Sequence, residues 1–370
     1  MGTPATGLTS PLLQVLRRRI AAEGPISVAA YMAECLLHPE HGYYRSQEAI
    51  GLGGDFITAP EISQMFGELL GLWAADCWQR IGSPSHCYLV ELGPGRGTLM
   101  RDALRAARAL PGFRAAIVPV LVEASLRMMD LQRATLRDEA TTWHTDMAAL
   151  PDDAPIILMA NEFLDALPVR QFQRGTDGAW HERHVGLAED QLTLQFTLDP
   201  RALPLDDLLH ADIRDAPAGA IVESSPAVRA VATEIAARLL AQNGAALFVD
   251  YGYDRPGLGE TLQAVRRHAY ADPLAEPGLA DLTAHVDFSA FAAAARSTGA
   301  TVHGPVGQGR FLKELGIEAR AKKLRQSGNE TQGMEIEAAL QRLTAPEAMG
   351  TLFKVLALTP PQASQPAGFA

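Results

Sequence analysis

The hydrophobic pattern predicts helices at the start of the chain. Four apolar residues near the N-terminus recur at the spacing of one helix face: Leu12, Leu13, Leu16 and Ile20. The segment PISVAAYMAECLLHPEHGYY predicts a second helix that ends near His38, because the proline that follows disfavours helical geometry before it. A third helix with apolar periodicity is expected from about Ser63 to Arg80.

From Tyr88 onward, short apolar runs alternate with amphipathic helices. The runs are YLVEL, IVPVLVE, PIILMA and AALFVDY. Nearly continuous apolar runs of this length are typical of parallel strands that are buried on both faces. Their alternation with helices predicts an α/β fold with a doubly wound, Rossmann-like sheet.

Two segments interrupt this alternation. Between about Val169 and Phe196, the runs VRQFQR, AWHERHVGL and QLTLQFTL are separated by turn residues, which predicts a small antiparallel β insertion. The stretch from Asp254 to about Asp287 is rich in glycine, proline and charge, and predicts a long loop over the carboxyl edge of the sheet. We expect these ranges along the chain: an N-terminal helical region over 1–85, a doubly wound domain over 86–358 with insertions at about 169–220 and 254–287, and a disordered tail over 359–370.

The composition excludes several kinds of function and leaves the predicted fold unchanged. The 370 residues carry a formal net charge of −11, which argues against a surface that binds nucleic acid or an anionic membrane. The cysteines, Cys35, Cys77 and Cys87, are odd in number and lack CxxC spacing, so neither a disulfide framework nor a zinc site is expected. No apolar run approaches the roughly 18 residues of a membrane span, so we expect a soluble protein.

The loop ELGPGRGT joins the first predicted strand to a helix. Its residues Gly93, Pro94, Gly95 and Gly97 lie where backbone N–H groups and a helix N-terminus can receive a ligand. A Walker-type phosphate loop is excluded, because no lysine follows the last glycine. A dinucleotide fingerprint is disfavoured, because Thr98 stands where that motif has its third glycine.

Glu91 favours a third interpretation of this loop. It stands at the end of the strand, where a carboxylate would repel a pyrophosphate but suit the ammonium and sulfonium of S-adenosylmethionine. A glycine turn with no ligand is the alternative. Glu123, at the end of the next strand, can accept hydrogen bonds from ribose hydroxyls or can simply begin the following helix. Asp146, after a predicted third strand, can meet an adenine amino group or can serve as a turn residue.

A second polar group follows the strand PIILMA. Asn161, Glu162 and Asp165 come just past its carboxyl end, where open α/β sheets bind ligands. The two carboxylates can bind a polar or cationic acceptor, or they can cap the next helix. The segment FVDYGY similarly delivers Asp250 and Tyr251 at the end of a later strand.

Several longer strings occur in the same order in a known family. They are GPISVAAYMAECLLHPEHGYY, GGDFITAPEISQMFGELLG, ELGPGRGTLMRDALR, ANEFLDALPVRQF, IVESSP, FVDYGY, TLQAVRRH, DLTAHVDF and MGTLFKVLAL. From about Leu12 to Leu358, the chain resembles the MidA-like methyltransferases. That family includes the mitochondrial complex I assembly protein-arginine methyltransferase and bacterial proteins of similar sequence.

The resemblance implies a class I S-adenosylmethionine-dependent fold with the N-terminal helices packed beside it. Carried onto this sequence, the cofactor role falls on Gly93, Gly95, Gly97, Glu123, Asp146 and Asn161. The resemblance also implies that the GGDFITAPEIS segment, which contains Thr58 and Pro60, forms a lid or floor around the methyl donor.

For the activity, the resemblance implies methyl transfer to an arginine nitrogen of a protein, such as a core subunit of respiratory complex I. A guanidinium stays protonated at neutral pH, so carboxylates are expected to orient it and to disperse its charge. We assign this catalytic role to Glu162, with Asp165 and Asp250 as partners and Glu61 as a further candidate.

Two other functions are compatible with these residues: an inactive S-adenosylmethionine-binding assembly factor, and an NAD-dependent oxidoreductase, which Glu91 disfavours. The first residues include Ser, Thr and Arg and few acids, as in mitochondrial presequences. Because the resemblance begins near Leu12, little chain is left for such a presequence. We therefore expect a bacterial cytoplasmic protein, with the mitochondrial matrix as the alternative.

Overall fold

The computed structural model describes residues 10–46, 58–205 and 211–370. Contacts between residues divide the chain into two compact units. The first, which we call the insertion unit, is assembled from Met1–Phe56, Ala166–Ala227 and Pro256–Ala284. The second, the central-sheet unit, is assembled from Ile57–Asp165, Val228–Arg255 and His285–Ala370.

The helices of the described residues have these bounds: α1 Pro11–Glu23, α2 Val28–Leu37, α3 Tyr43–Ser46, α4 Ala59–Ile62, α5 Gln64–Arg80, α6 Thr98–Ala107, α7 Pro111–Ala116, α8 Leu126–Thr135, α9 Ala211–Arg214, α10 Pro226–Gln242, α11 Phe288–Thr298, α12 Gln308–Glu314, α13 Ile317–Ser327 and α14 Glu330–Thr344. None of them combines the length and apolar character that crossing a bilayer requires.

The strands of the described residues have these bounds: β1 Ile26–Ser27, β2 Cys87–Leu92, β3 Ile117–Val122, β4 Thr142–His144, β5 Ile156–Asn161, β6 Arg170–Arg174, β7 Trp180–Leu187, β8 Leu194–Leu203, β9 Ile221–Ser224, β10 Gly244–Tyr253, β11 Gln263–Arg266, β12 Ala269–Ala271, β13 Asp281–Thr283, β14 Val286–Asp287, β15 Thr301–Gly307 and β16 Phe353–Thr359.

The three helices predicted from the N-terminal pattern are confirmed. The apolar stripe of α1 is buried along its length, at Leu12, Leu13, Leu16 and Ile20. Helix α2 ends at Leu37, one residue before His38, as the proline signal indicated. Helix α5 begins at Gln64, and the hydroxyl of Ser63 accepts the backbone N–H of Met65 as its N-terminal cap.

The central-sheet unit contains a mostly parallel eight-stranded sheet. Its strand order is β15-β16-β10-β5-β2-β3-β4, and β14 also pairs with β10. Strands β4, β3, β2, β5 and β10 run parallel to one another, whereas β16 is antiparallel to both β10 and β15. All six residues of β5 are buried, as the continuous apolar pattern predicted. The chain order reverses at β2, which has β3 on one side and β5 on the other, so a crevice for ligands is expected beyond its carboxyl end.

Two helices of this unit pack very closely against each other. A Cβ added to Gly71 of α5 would lie 2.6 Å from the Cα of Ala103 in α6, so only glycine allows this approach. Beside this contact, the buried carboxylate of Glu68 accepts hydrogen bonds from Arg105 of α6 and Arg320 of α13. This shared carboxylate connects three helices and fixes α6, the helix that follows the glycine loop.

The insertion unit is antiparallel. One sheet has the order β1-β7-β6-β9, with β8 paired to β7, and a smaller sheet has the order β12-β11-β13. The predicted runs VRQFQR, AWHERHVGL and QLTLQFTL correspond to β6, β7 and β8. Residues of α1 and α2 share one buried core with strand residues, including Leu12, Tyr31, Val185 and Leu282.

Two predictions are wrong. The stretch 254–287 is not a long loop, because it forms β11, β12, β13 and β14. The tail 359–370 is not disordered, because Phe369 is buried and its ring lies 5.4 Å from that of Phe311. In the first segment the order comes from backbone pairing, mainly among its own strands, and in the tail it comes from aromatic packing with a distant residue.

Candidate functional site

The ends of the parallel strands bring the predicted site residues into one region. Leu92, the last residue of β2, pairs with Val122 of β3 and with Ala160 of β5. Asn161, the last residue of β5, pairs with Val249 of β10. The residues that follow these strands therefore lie side by side, at the edge where open α/β sheets bind ligands.

The glycine loop requires its glycines. Gly93, Gly95 and Gly97 have φ angles of +60°, +51° and +79°, which lie in the left-handed region that favours glycine. The N–H of Gly97 donates to the carbonyl of Pro94 at 2.7 Å, which closes a tight turn before α6. A Cβ on Gly93 would lie 2.9 Å from Cδ2 of Phe163, so a side chain there would clash. The loop thus presents bare backbone beyond β2.

Glu91 lies just before this loop and is almost fully buried. Its carboxyl group accepts a backbone hydrogen bond from Met100 in α6, and its Oε2 atom has no partner within the described residues. Burial raises the pKa of Glu91 well above its usual range, although the hydrogen bond lowers it in part. A buried carboxyl oxygen without a partner is uncommon in proteins, and a ligand that donates a hydrogen bond would satisfy it.

Glu162 has the most unusual backbone of the predicted site. Its φ angle is +49°, a left-handed conformation that is uncommon for a residue with a side chain. Its Oε1 atom accepts the N–H of Ala59 at 3.1 Å and the side-chain amide of Asn161 at 2.9 Å. Burial and the nearby Asp165 carboxylate raise the pKa of Glu162 to about 7. In the described residues, Oδ1 of Asn161 is buried and accepts no hydrogen bond.

Asp250, the third predicted catalytic carboxylate, lies against the backbone that carries the other two. Its Oδ2 atom accepts the N–H groups of Leu164 and Asp165, at 2.9 and 3.2 Å, and its Oδ1 atom accepts that of Tyr251 at 2.9 Å. Burial, followed by the charges of Asp165 and Glu162, raises the pKa of Asp250 well above its usual range. Asp250 therefore fixes the turn that presents Glu162.

The end of β3 carries Glu123, whose carboxylate is held on both sides. Its Oε1 atom accepts the N–H of Ser125 at 2.7 Å, and its Oε2 atom accepts the amide of Gln132 at 3.1 Å. The same amide donates to the carbonyl of Gly95 at 2.8 Å. The ribose carboxylate predicted from sequence is thus joined to the glycine loop through one side chain.

Asp146 follows β4, as predicted, but its side chain is exposed. Its Oδ1 atom accepts the N–H of Ala148 at 2.8 Å and caps the short helix Met147–Ala149. This is the turn role that the sequence left open beside the adenine role, which stays a prediction.

The described residues of the GGDFITAPEIS segment are Thr58, helix α4 and Ser63; the residues of that segment before Thr58 lie outside the described ranges. Thr58 precedes α4, and Pro60 is buried within it. Glu61 accepts a hydrogen bond from the hydroxyl of Thr98 at the start of α6. The N–H of Ala59 donates to the carboxylate of Glu162. Helix α4 therefore contacts both α6 and Glu162. Its role as a lid or floor stays a prediction.

Sequence reasoning missed two residues of this region, Phe163 and Gln132. Gln132 could have been found, since it occupies an apolar position of α8 in line with Met128, Met129 and Leu136, all of which are buried. Within the described residues, no group of three or more His, Cys, Asp or Glu side chains is arranged to hold a metal ion.

This chain is similar to known proteins over most of its length. A family model described as an S-adenosyl-L-methionine-dependent methyltransferase matches residues 69–306, a range that includes the glycine loop and Asp250. The mouse protein arginine methyltransferase NDUFAF7, a mitochondrial protein, is 38% identical over 381 residues, which cover 95% of this chain and 85% of the mouse protein. The human protein of the same name is 37% identical and covers 98% of this chain and 86% of its own.

A solved structure shows the same fold over almost the whole chain. It is a Burkholderia thailandensis protein bound to S-adenosyl-homocysteine, with a TM-score of 0.86 and 31% sequence identity. The similarity covers 97% of this chain and 94% of that protein.

Proposed function

Because the chain belongs to the family of S-adenosyl-L-methionine-dependent methyltransferases, we propose that it methylates an arginine nitrogen in another protein. The methyl donor follows from the family. The arginine acceptor is our proposal, and its main support is the carboxylate of Glu162, which Ala59 and Asn161 orient beyond the end of β5.

The residues at the ends of β2 and β5 fit the methyl donor. Glu91 Oε2 and Asn161 Oδ1 are buried acceptor atoms without partners in the described structure, and such atoms match a ligand that brings cationic and donor groups. The bare backbone of the glycine loop allows close approach. We assign the remaining donor contacts to Glu123, whose carboxylate can accept ribose hydroxyls, and to the Pro94 turn. When bound, S-adenosylmethionine supplies a methyl group on a positively charged sulfur.

Glu162 is the residue that we assign to the acceptor. Its Oε1 atom is occupied by Ala59 and Asn161, whereas its Oε2 atom accepts no hydrogen bond from the described residues. The hydrogen bonds to Oε1 therefore orient the carboxylate, and Oε2 remains for an incoming hydrogen-bond donor. A guanidinium donates from several N–H groups in a fixed plane and stays charged at neutral pH, so a carboxylate is its natural partner.

The carboxylates near the ends of β5 and β10 favour a cationic acceptor over a neutral one. Beside burial, the charge of Asp165 raises the pKa of Glu162, and the charges of Asp165 and Glu162 raise the pKa of Asp250, so negative charge is concentrated here. A bound guanidinium would relieve this repulsion and would lower those pKa values again. Glu162 then accepts a hydrogen bond from one nitrogen and balances the positive charge, while Asp250 keeps the turn in place.

The relatives that carry arginine methyltransferase names support a protein substrate, and their names also place them in mitochondria. We propose a complex I subunit, or a protein like it, as the substrate. The compartment we propose is the bacterial cytoplasm, with the mitochondrial matrix as the alternative. The bacterial neighbour solved with S-adenosyl-homocysteine supports the first.

The test is methyl transfer from S-adenosylmethionine with a radioactive methyl group into a cell extract, followed by identification of the labelled residue by mass spectrometry. We expect label on arginine in a protein, and much less label with Glu162→Gln. Glu335→Gln is the matched control, because it makes the same change on an exposed position of α14. Label on another residue type or a small molecule would overturn the arginine assignment, and tight cofactor binding without any label would indicate an inactive binding protein.

A further inference from the structure

Gln132 of α8 is completely buried in the core beside the glycine loop. Burying an amide is unfavourable unless its hydrogen bonds are satisfied, and an apolar residue would suit this helix face better. Its neighbours on that face, Met128 and Met129, are apolar and buried. The polar side chain at this position therefore needs an explanation beyond packing.

Three hydrogen bonds fix the orientation of the Gln132 amide. The indole Nε1 of Trp143, in β4, donates to Oε1 of Gln132 at 3.0 Å. Since an indole nitrogen can only donate, the oxygen of the amide must face Trp143 and the NH2 group must face the other way. That NH2 group donates to the carbonyl of Gly95 at 2.8 Å and to Oε2 of Glu123 at 3.1 Å.

We propose that Gln132 is a positioning residue for the methyl donor, which sets the orientation of Glu123 for the ribose hydroxyls and holds the Gly95 loop against it. The inference rests on the proposed function, in which Glu123 binds the ribose. It concerns a residue that touches neither donor nor acceptor.

The contacts of Glu123 explain how Gln132 would act. The carboxylate can rotate about its terminal bond, but the N–H of Ser125 on Oε1 and the amide of Gln132 on Oε2 hold it in one orientation. A carboxylate already held in the bound orientation loses little freedom when the ligand arrives. Without Gln132, the ligand would have to fix the orientation of the Glu123 carboxylate itself. Binding would then weaken most for a ligand that makes many contacts with Glu123.

The test compares two ligands, S-adenosylhomocysteine and its analogue that lacks both ribose hydroxyls, by calorimetry on Gln132→Met. Methionine matches the volume of glutamine but donates no hydrogen bond. We expect the dissociation constant for S-adenosylhomocysteine to rise roughly 10-fold. For the analogue we expect a rise below about 3-fold, which reflects only the Gly95 contact.

Gln308→Met is the matched control for stability. Gln308 is also completely buried in the same unit, and among the described residues its amide donates to the carbonyl of Leu343 alone. We expect this control to lower the melting temperature and to leave both dissociation constants unchanged. Equal losses for the two ligands with Gln132→Met would overturn the positioning role, whereas failure of the wild-type protein to bind S-adenosylhomocysteine would overturn the proposed function instead.

A second variant covers the case in which Gln132→Met does not fold. Gln132→Glu keeps the shape and the acceptor for Trp143, but it turns an oxygen toward the carboxylate of Glu123 and the carbonyl of Gly95. Relative to wild type, binding of S-adenosylhomocysteine should be weak at high pH and should recover as the pH falls, because the protonated carboxyl group can donate one hydrogen bond. If the ratio of the affinity of Gln132→Glu to that of wild type for S-adenosylhomocysteine stays constant across pH, the proposal is overturned.

Discussion

Asp250 Oδ2 accepts the backbone N–H of Leu164 at 2.9 Å, which joins the end of β10 to the turn that follows β5. The same oxygen accepts the N–H of Asp165. The turn holds Glu162 in a left-handed conformation that a free chain would rarely adopt. A buried carboxylate on one strand thus stabilises the strained backbone that presents a second carboxylate on its neighbour.

We predict that Asp250→Asn lowers both stability and methyl transfer. Asparagine keeps one acceptor oxygen, but it places an NH2 group against backbone N–H donors. The free energy of unfolding should fall by about 2 kcal/mol, as expected when buried backbone N–H groups lose their acceptor. Urea unfolding and transfer rates measure the two effects.

Asp287→Asn is the matched control for Asp250→Asn. Asp287 caps α11 in the same unit by accepting the N–H of Ala290, and it belongs to no part of the proposed site. Its substitution should lower stability alone. If both variants lose methyl transfer to the extent that they lose free energy of unfolding, Asp250 acts only through folding.

We predict that Gly95→Val prevents cofactor binding. Gly95 has a φ angle of +51°, where a β-branched side chain is strained, and the added carbons would occupy space that a ligand needs. Binding should weaken by at least roughly 10-fold in calorimetry, while circular dichroism shows a folded domain. Gly82→Val is the control, since Gly82 is also left-handed but its Cβ would meet no atom within 4 Å. Normal binding by a folded Gly95→Val protein would make the loop purely structural.

The sequence predicted the central sheet because its strands carry their own signal. The β2, β5 and β10 segments are buried on both faces, so their apolar runs are nearly continuous. The strands of 254–287 contain no such apolar run. β12 is exposed at every residue, and β13 is buried but short, with the sequence DLT. The tail likewise shows no local pattern, because Phe369 is ordered by distant aromatic packing.

The sequence allowed a prediction of which residue types form the candidate site and where they lie along the chain, but not of their geometry. Gly93 and Glu162 were identified because polar residues and glycines follow apolar strands at known offsets. The sequence could not indicate that one oxygen of Glu162 is occupied by Ala59, which is 103 residues away. Nor could it separate the roles of Asp165 and Asp250, since both are acidic residues near strand ends. Such distinctions depend on contacts between distant segments.

We predict a pH dependence centred near the pKa of about 7 at Glu162. The guanidinium stays charged throughout, so the value of kcat/KM should rise as Glu162 ionises with increasing pH. The stability of the ligand-free protein should change with pH in the opposite direction. A carboxyl group whose pKa is raised by folding favours the folded state at low pH, and this contribution is lost as the pH rises through the folded pKa. The melting temperature should therefore fall over the same range.

Glu162→Gln isolates the contribution of that one group, because the raised pKa values of Glu91 and Asp250 act in the same direction. In this variant the fall in melting temperature should be smaller than in wild type. A wild-type kcat/KM that stays flat between about pH 5.5 and about pH 8.5 would remove an ionised Glu162 from acceptor binding.

The last prediction is that Glu162→Gln transfers methyl groups slowly but binds S-adenosylmethionine almost normally. Glutamine keeps the size and an acceptor oxygen for Ala59 and Asn161, but it removes the negative charge that balances the guanidinium. Loss of a charge-assisted pair is worth about 1.5 to 3 kcal/mol, which corresponds to roughly 10- to 150-fold in rate if the pair acts in the transition state. Single-turnover kinetics with saturating cofactor measure the transfer, and calorimetry measures the binding. A wild-type transfer rate would exclude Glu162 from the mechanism, and a loss of cofactor binding would assign it to the donor side of the site.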